Sequence, residues 1–131
     1  MRNLKIDDAI CGKLFNTPAM VRTMTSLDLS YNIIGMQDLI QRPSKVCAGE
    51  VIATLLLDGH CKLTSLNLAW NNIRSASAIA LVDALKDNHT LQYLDLSHNC
   101  LGIEGGERLG NALHFNDTLE VLKIANNGFP S

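Results

Sequence analysis

The sequence predicts an α/β solenoid, with short parallel strands on a concave face and helices on a convex one. Three observations predict it. A pattern of leucines and one asparagine, L-x-x-L-x-L-x-x-N-x-L, occurs four times, and its last three copies stand 28 residues apart. Between the copies, apolar residues fall at helical spacing, not in alternation. A fixed period of this length marks stacked strand–helix units, each burying its apolar face only against its neighbours.

The chain opens weakly. In "LKIDDAICG", Leu4, Ile6, Cys11 and Gly12 fit the register, but Ala9 takes the asparagine slot, so residues 1–23 read as a degenerate repeat. The first full copy, "MTSLDLSYNII", supplies Met24, Leu27, Leu29, Asn32 and Ile34. The next begins 39 residues later, so this connection carries 11 extra residues, around 36–48. Long insertions in a regular array are often functional, yet added loop length costs little. Both readings of "GMQDLIQRPSKVCAG" stand, with Arg42, Pro43, Ser44 and Lys45 at its centre.

A helix follows in "VIATLLLDGHC", with Val51, Ile52, Leu55 and Leu56 inward. "LTSLNLAWNNI" then supplies Leu63, Leu66, Leu68, Asn71 and Ile73, and "SASAIALVDALKDNHT" a helix burying Ala78, Leu81, Val82 and Leu85. The third copy, "LQYLDLSHNCL", supplies Leu91, Leu94, Leu96, Asn99 and Leu101. Its helix, in "GGERLGNALHFNDT", turns Leu109, Ala112 and Leu113 inward, with Gly105-Gly106 read as the turn that opens it. "LEVLKIANNGF" ends the series with Leu119, Leu122, Ile124, Asn127 and Phe129. One domain therefore covers residues 1–131, with about four clear repeats from residue 24.

The residue types follow from the turns. Leu-x-Leu is a strand with one buried face. Where the strand ends, backbone groups lose their ladder partners, and an unpaired buried group costs about 1–3 kcal/mol. An asparagine amide both donates and accepts, so Asn32, Asn71, Asn99 and Asn127 are expected to form a structural ladder along successive turns. Two sequons, Asn88-His89-Thr90 and Asn116-Asp117-Thr118, fall at one repeat position just past a helix. They read as helix stops that tolerate left-handed backbone, not as glycan sites.

This pattern resembles that of leucine-rich repeat proteins, and two features resemble the ribonuclease-inhibitor-like subtype: the 28-residue period and the "NxLG" continuation in "NCLG", with "NIIG" beside it. The resemblance implies a curved, right-handed α/β horseshoe segment. It also implies a non-catalytic protein-interaction module whose strand face is free to vary. Alternatives within the subtype are a structural scaffold of cytoskeletal or ciliary assemblies, innate-immune sensing, and activation of the Ran GTPase. For the last, Arg74 is the one basic residue in the post-strand loops.

Composition excludes several classes. The chain is 47% hydrophobic, 18% charged and has a net charge of -2, so no basic field points to nucleic acid or an anionic membrane. No apolar run approaches a membrane span, and the charged "MRNLKIDDAI" holds no secretory signal. Cys11, Cys47, Cys61 and Cys100 are irregularly spaced and read as small buried hydrophobes, reduced in the cytoplasm. No nucleophile–base set, phosphate loop, metal motif or cofactor motif occurs, and His60, His89, His98 and His114 are scattered. No catalytic residue, metal or cofactor is expected.

What remains is the strand face. Residues between the leucines are expected outward: Ser26, Asp28, Ser30 and Tyr31, then Ser65, Asn67, Ala69 and Trp70, then Tyr93, Asp95, Ser97 and His98, then Val121, Lys123, Ala125 and Asn126. With strands about 4.8 Å apart, equivalent positions form columns. One reads Tyr31, Trp70, His98, Asn126; another Asp28, Asn67, Asp95, Lys123. Tyr and Trp anchor protein interfaces. The candidate partner-binding residues are therefore Trp70, Tyr31, His98, Tyr93, Asp28, Asp95 and Asn67. Shielding of the turns is the competing role for the aromatic column. The final repeat leaves Leu119, Leu122 and Ile124 open on one side. It suggests a fragment of a longer protein or an end-to-end contact with another chain.

Overall fold

A computed structural model describes residues 23–32 and 48–128. Four three-residue strands, β1 (Ser26–Asp28), β2 (Ser65–Asn67), β3 (Tyr93–Asp95) and β4 (Val121–Lys123), form one open parallel sheet in sequence order. Among the described residues, three helices lie between them: α1 (Ala48–Leu57), α2 (Ser75–Ala84) and α3 (Gly102–Phe115). The degenerate repeat before residue 23, the expansion up to residue 47, and Ile34 and Phe129 lie outside the described residues.

The leucine register predicted from the repeat is the pairing register. Leu27, Leu66, Leu94 and Leu122 face one another across the sheet. Parallel hydrogen bonds continue past each short strand on both sides. Thr64, Gln92 and Glu120 donate to Thr25, Thr64 and Gln92, each at 2.8 Å. Leu29, Leu68 and Leu96 donate to Asn67, Asp95 and Lys123, also at 2.8 Å. The strands are short because the chain turns inward at once, not because pairing stops.

Strand leucines and helix residues share one core. Leu29, Leu66, Leu68, Leu94 and Leu96 are fully buried, as are Ile52, Leu81, Val82 and Leu85 from α1, α2 and the end of α2. Packed helices need about 8–10 Å between axes, whereas strands need about 4.8 Å. The stack therefore bends with the strands on its inner side.

Three expectations change. Val51 is only half-buried at the side of α1. Leu113 is 37% exposed, because no described element packs on the outer side of α3, while Leu109 and Ala112 remain buried against α2. Gly105 and Gly106 lie inside α3, which begins at Gly102, and do not form a turn before it. The reason is close approach: a Cβ on Gly105 would stand 3.0 Å from Leu101 Cβ and 4.0 Å from Ala78 Cβ. Burial sets the mutational scale here. Leu109→Ala is expected to cost about 2–5 kcal/mol by leaving a cavity, and Leu113→Ala less than about 1 kcal/mol. Urea unfolding midpoints of the two variants check this.

Candidate partner-binding surface

The surface is built at the point where each strand ends. Asp28 Oδ1 accepts from the Ser30 amide at 2.9 Å and from Ser30 Oγ at 2.6 Å. Asn67 Oδ1 accepts from the Ala69 amide at 3.0 Å, and Asp95 Oδ1 from the Ser97 amide at 2.9 Å. These side chains fold the backbone over by bonding two residues on. The result corrects two expectations. Ser30, Ala69 and Ser97 are buried, not displayed, because the turn rotates them under the strand end. The carboxylates of Asp28 and Asp95 are turn acceptors first, and any steering of a basic partner comes second. Lys123 fills the same column without such a bond and lies 5.7 Å from the centre of the Tyr93 ring.

One residue later the chain reverses. Tyr31, Trp70 and His98 have φ of 58° and Asn126 of 57°. Left-handed backbone costs a non-glycine residue about 1–2 kcal/mol, least for asparagine. The amide of each ringed residue is still held, donating to Ala69, Ser97 and Ala125 of the next repeat at 2.8–3.0 Å. This geometry throws the side chains outward. Trp70 is 47% exposed and Tyr31 42%. Trp70 is thus displayed, and it is also stacked. Its ring lies 3.7 Å from that of His98 at 13°, and 5.6 Å from that of Tyr31 at 11°. Asn126 Nδ2 continues the column, 3.2 Å from His98 Nδ1.

Directly behind this column the asparagines turn inward. Asn71 Nδ2 donates to Leu68 O and Ala69 O of its own turn and to Leu29 O of the preceding one, at 2.9–3.3 Å. Asn99 repeats this on Leu96, Ser97 and Leu68, and Asn127 on Ile124, Ala125 and Leu96. Asn32 donates to Leu29 O and Ser30 O. The amide oxygens reach back as well: Asn99 Oδ1 accepts from the Ile73 amide at 3.1 Å and Asn127 Oδ1 from that of Leu101 at 3.3 Å. Asn71, Asn99 and Asn127 therefore each grip the repeat before them.

A second row, on the helix-to-strand side, was legible only as helix stops. Asn88 Nδ2 donates to Leu56 O at 2.8 Å, and its Oδ1 accepts from the Thr90 and Leu91 amides. Asn116 Nδ2 donates to Leu85 O and Asn88 O, and its Oδ1 accepts from Thr118 and Leu119. Asn116 is extended, φ −87° and ψ 127°, so left-handed tolerance is not why asparagine stands there. It bridges successive repeats through its side chain. The signal that pointed to this was the shared repeat position of the two sequons.

The remaining candidates are dispersed. Tyr93 and Asn67 are half-buried on the strand face. Arg74 Nε donates to Asn72 O of its own loop at 3.4 Å. Cys61 is buried, but Cys100 is exposed, contrary to the reading of the cysteines as core residues. His60 and His89 sit beside Asp58 and Asp117 on exposed loops, each pair at 3.3 Å. Among the described residues no cluster could hold a metal ion, and no helix is long and apolar enough to cross a membrane.

Comparison with known proteins adds to this geometry. A family model described as "Leucine Rich repeat" matches residues 22–37, 59–82 and 87–110. Ribonuclease inhibitor of Sus scrofa is 31% identical over 129 residues, covering 98% of this chain and 26% of the relative. NACHT, LRR and PYD domains-containing protein 12 of Mus musculus is 32% identical over 127 residues, 96% of this chain and 11% of the relative. Ran GTPase-activating protein 1 of Xenopus laevis is 36% identical over 69 residues, 53% of this chain and 11% of the relative. The chain spans about a quarter or less of the length of these relatives.

Proposed function

The chain belongs to the leucine-rich repeat family, of the ribonuclease-inhibitor-like type, and from that premise we propose that it binds another protein, without catalysis, through its strand face. Two of the relatives bear names that denote action on another protein, an inhibitor of ribonuclease and an activator of the Ran GTPase. The anchors are Trp70 and Tyr31, then His98 and Tyr93, with the polar column Asp28, Asn67 and Asp95 beside them.

One observation carries this reading. The fold needs a left-handed residue before each ladder asparagine, and Asn126 meets that need with a small side chain. Tyr31, Trp70 and His98 meet it with rings. Their stacking returns about 0.5–1.5 kcal/mol per pair, roughly what the left-handed backbone costs. The rings are therefore close to neutral for stability, and half of Trp70 faces solvent. Rings displayed at positions where the fold is satisfied by asparagine support use by a partner.

Trp70→Gly separates the two roles of the column. Glycine adopts φ of 58° freely, so the stability is expected to stay within about 1 kcal/mol of wild type and the thermal midpoint to move by only a few degrees. Loss of a central aromatic anchor is expected to weaken partner capture by about 30-fold. Affinity capture with wild type and Trp70→Gly side by side measures it. Equal capture by both, or collapse of the midpoint, sinks the proposal.

A second reading rests on the outer face of α3 and β4. Ile103, Gly106, Leu109, Gly110, Leu113 and Ile124 line an open groove of about 410 Å³. Leu119, Leu122 and Ile124 pack half-buried beside the core. Such a face favours an end-on contact with another chain, the arrangement a cytoskeletal or ciliary scaffold would use. Size-exclusion chromatography tests it: a stable monomer at high concentration argues against end-on assembly.

A further inference from the structure

The stacking in the rim column restricts what a partner can offer it. Resting on the strand-face reading above, we infer that the partner contacts Trp70 edge-on. It would bring an uncharged hydrogen-bond acceptor, an amide carbonyl oxygen of an extended segment, to the indole N–H.

Three observations lead there. First, both indole faces are occupied. His98 covers one at 3.7 Å and Tyr31 lies offset over the other at 5.6 Å, both nearly parallel to it. A lysine or arginine stacking on tryptophan needs a free face within about 6 Å of the ring centre, and so does a stacking aromatic. Trp70 remains 47% exposed, and the ring periphery is the part that neither neighbouring ring covers. That edge is the electropositive part of an aromatic ring and carries the one strong donor, Nε1–H. Second, no described residue accepts a hydrogen bond from that N–H. Third, the neighbouring column sets the Asp95 carboxylate one repeat from Trp70, its Oδ1 held in its turn, with Lys123 a further repeat away. The nearer carboxylate disfavours an acidic acceptor and leaves a neutral one. Stacking on His98 and Tyr31, on a backbone held by the hydrogen bond from the Trp70 amide to Ser97 O at 3.0 Å, restricts the direction of the donor. A partner that uses it meets a preorganised group.

Trp70 is the only tryptophan, so its indole N–H gives one cross-peak in a proton–nitrogen correlation spectrum. The probe is a random peptide library displayed on phage. It is panned on the wild-type chain and counter-panned on Trp70→Gly to discard peptides that bind elsewhere. Selected peptides are synthesised and titrated against wild type and Trp70→Phe, which keeps a stacking ring but deletes the donor. The expected result is a saturable downfield shift of the indole peak and affinity about tenfold lower for Trp70→Phe. Peptides that bind Trp70→Phe as tightly as wild type, or that depend on an arginine or glutamate contacting the ring, overturn the edge-on inference and leave the rim as the binding site. Failure to select any peptide that distinguishes wild type from Trp70→Gly overturns the inference and counts against the strand-face reading as well.

Discussion

Asn99→Ala is expected to lower stability by about 3–4 kcal/mol, enough to threaten a domain of this size. The side chain is 5% exposed and makes four hydrogen bonds. Its loss strips donors from the carbonyls of Leu68, Leu96 and Ser97 and strands the Ile73 amide. Those groups sit in the turn between two repeats, where water cannot replace the amide without entering the core. Asn99→Asp is the sharper variant. It is isosteric, but at neutral pH it aims a carboxylate at three carbonyl oxygens and should cost more than alanine. Chemical denaturation of both, beside Trp70→Gly, gives the order: glycine at 70 near wild type, alanine at 99 well below, aspartate at 99 lowest. Any other order shows that the ladder is not the main polar support of the turns.

Asn88→Ala is expected to cost about 2–4 kcal/mol, whereas Thr90→Ala costs less than about 1 kcal/mol. Both changes destroy the same sequon, so they separate a glycan role from a structural one. Asn88 is 2% exposed, and its nitrogen points at Leu56 O. Its oxygen holds the Thr90 and Leu91 amides, and its own carbonyl accepts from Asn116. One side chain thus joins the end of α1, the end of α2 and the start of β3. Thr90 contributes mainly its hydroxyl, 3.2 Å from Asn88 Nδ2. Equal, small losses for the two variants would remove this second row from the support of the fold. Thermal unfolding of the single variants measures the difference.

The repeat made most of the fold readable. A leucine at a fixed spacing means the same thing in each copy, so Leu66, Leu94 and Leu122 locate the strands without any propensity argument. What the sequence concealed was local and conformational. Trp70 reads as a large apolar residue at a strand end, and only Asn126 in the equivalent slot hints at left-handed backbone. Asp28 and Asp95 read as surface charges because an acidic residue looks alike whether it faces water or bends a turn. Simple alternation points Ser30 and Ala69 outward. Alternation ends where the side chain two residues earlier pulls the backbone over. Spacing locates Asn88 and Asn116 just past helices but does not reveal the bridges they make to Leu56 O and Leu85 O. A long-range side-chain bridge leaves no short-range signature.

The asparagine ladder also sets a schedule for the growing chain. The amide of Ile73 stays unfilled until Asn99 has been made, and that of Leu101 until Asn127 follows. Each turn therefore closes only when the asparagine of the next repeat, 26 residues further on, is available to fold against it. The order in which the units close is thereby written in the same direction as the message.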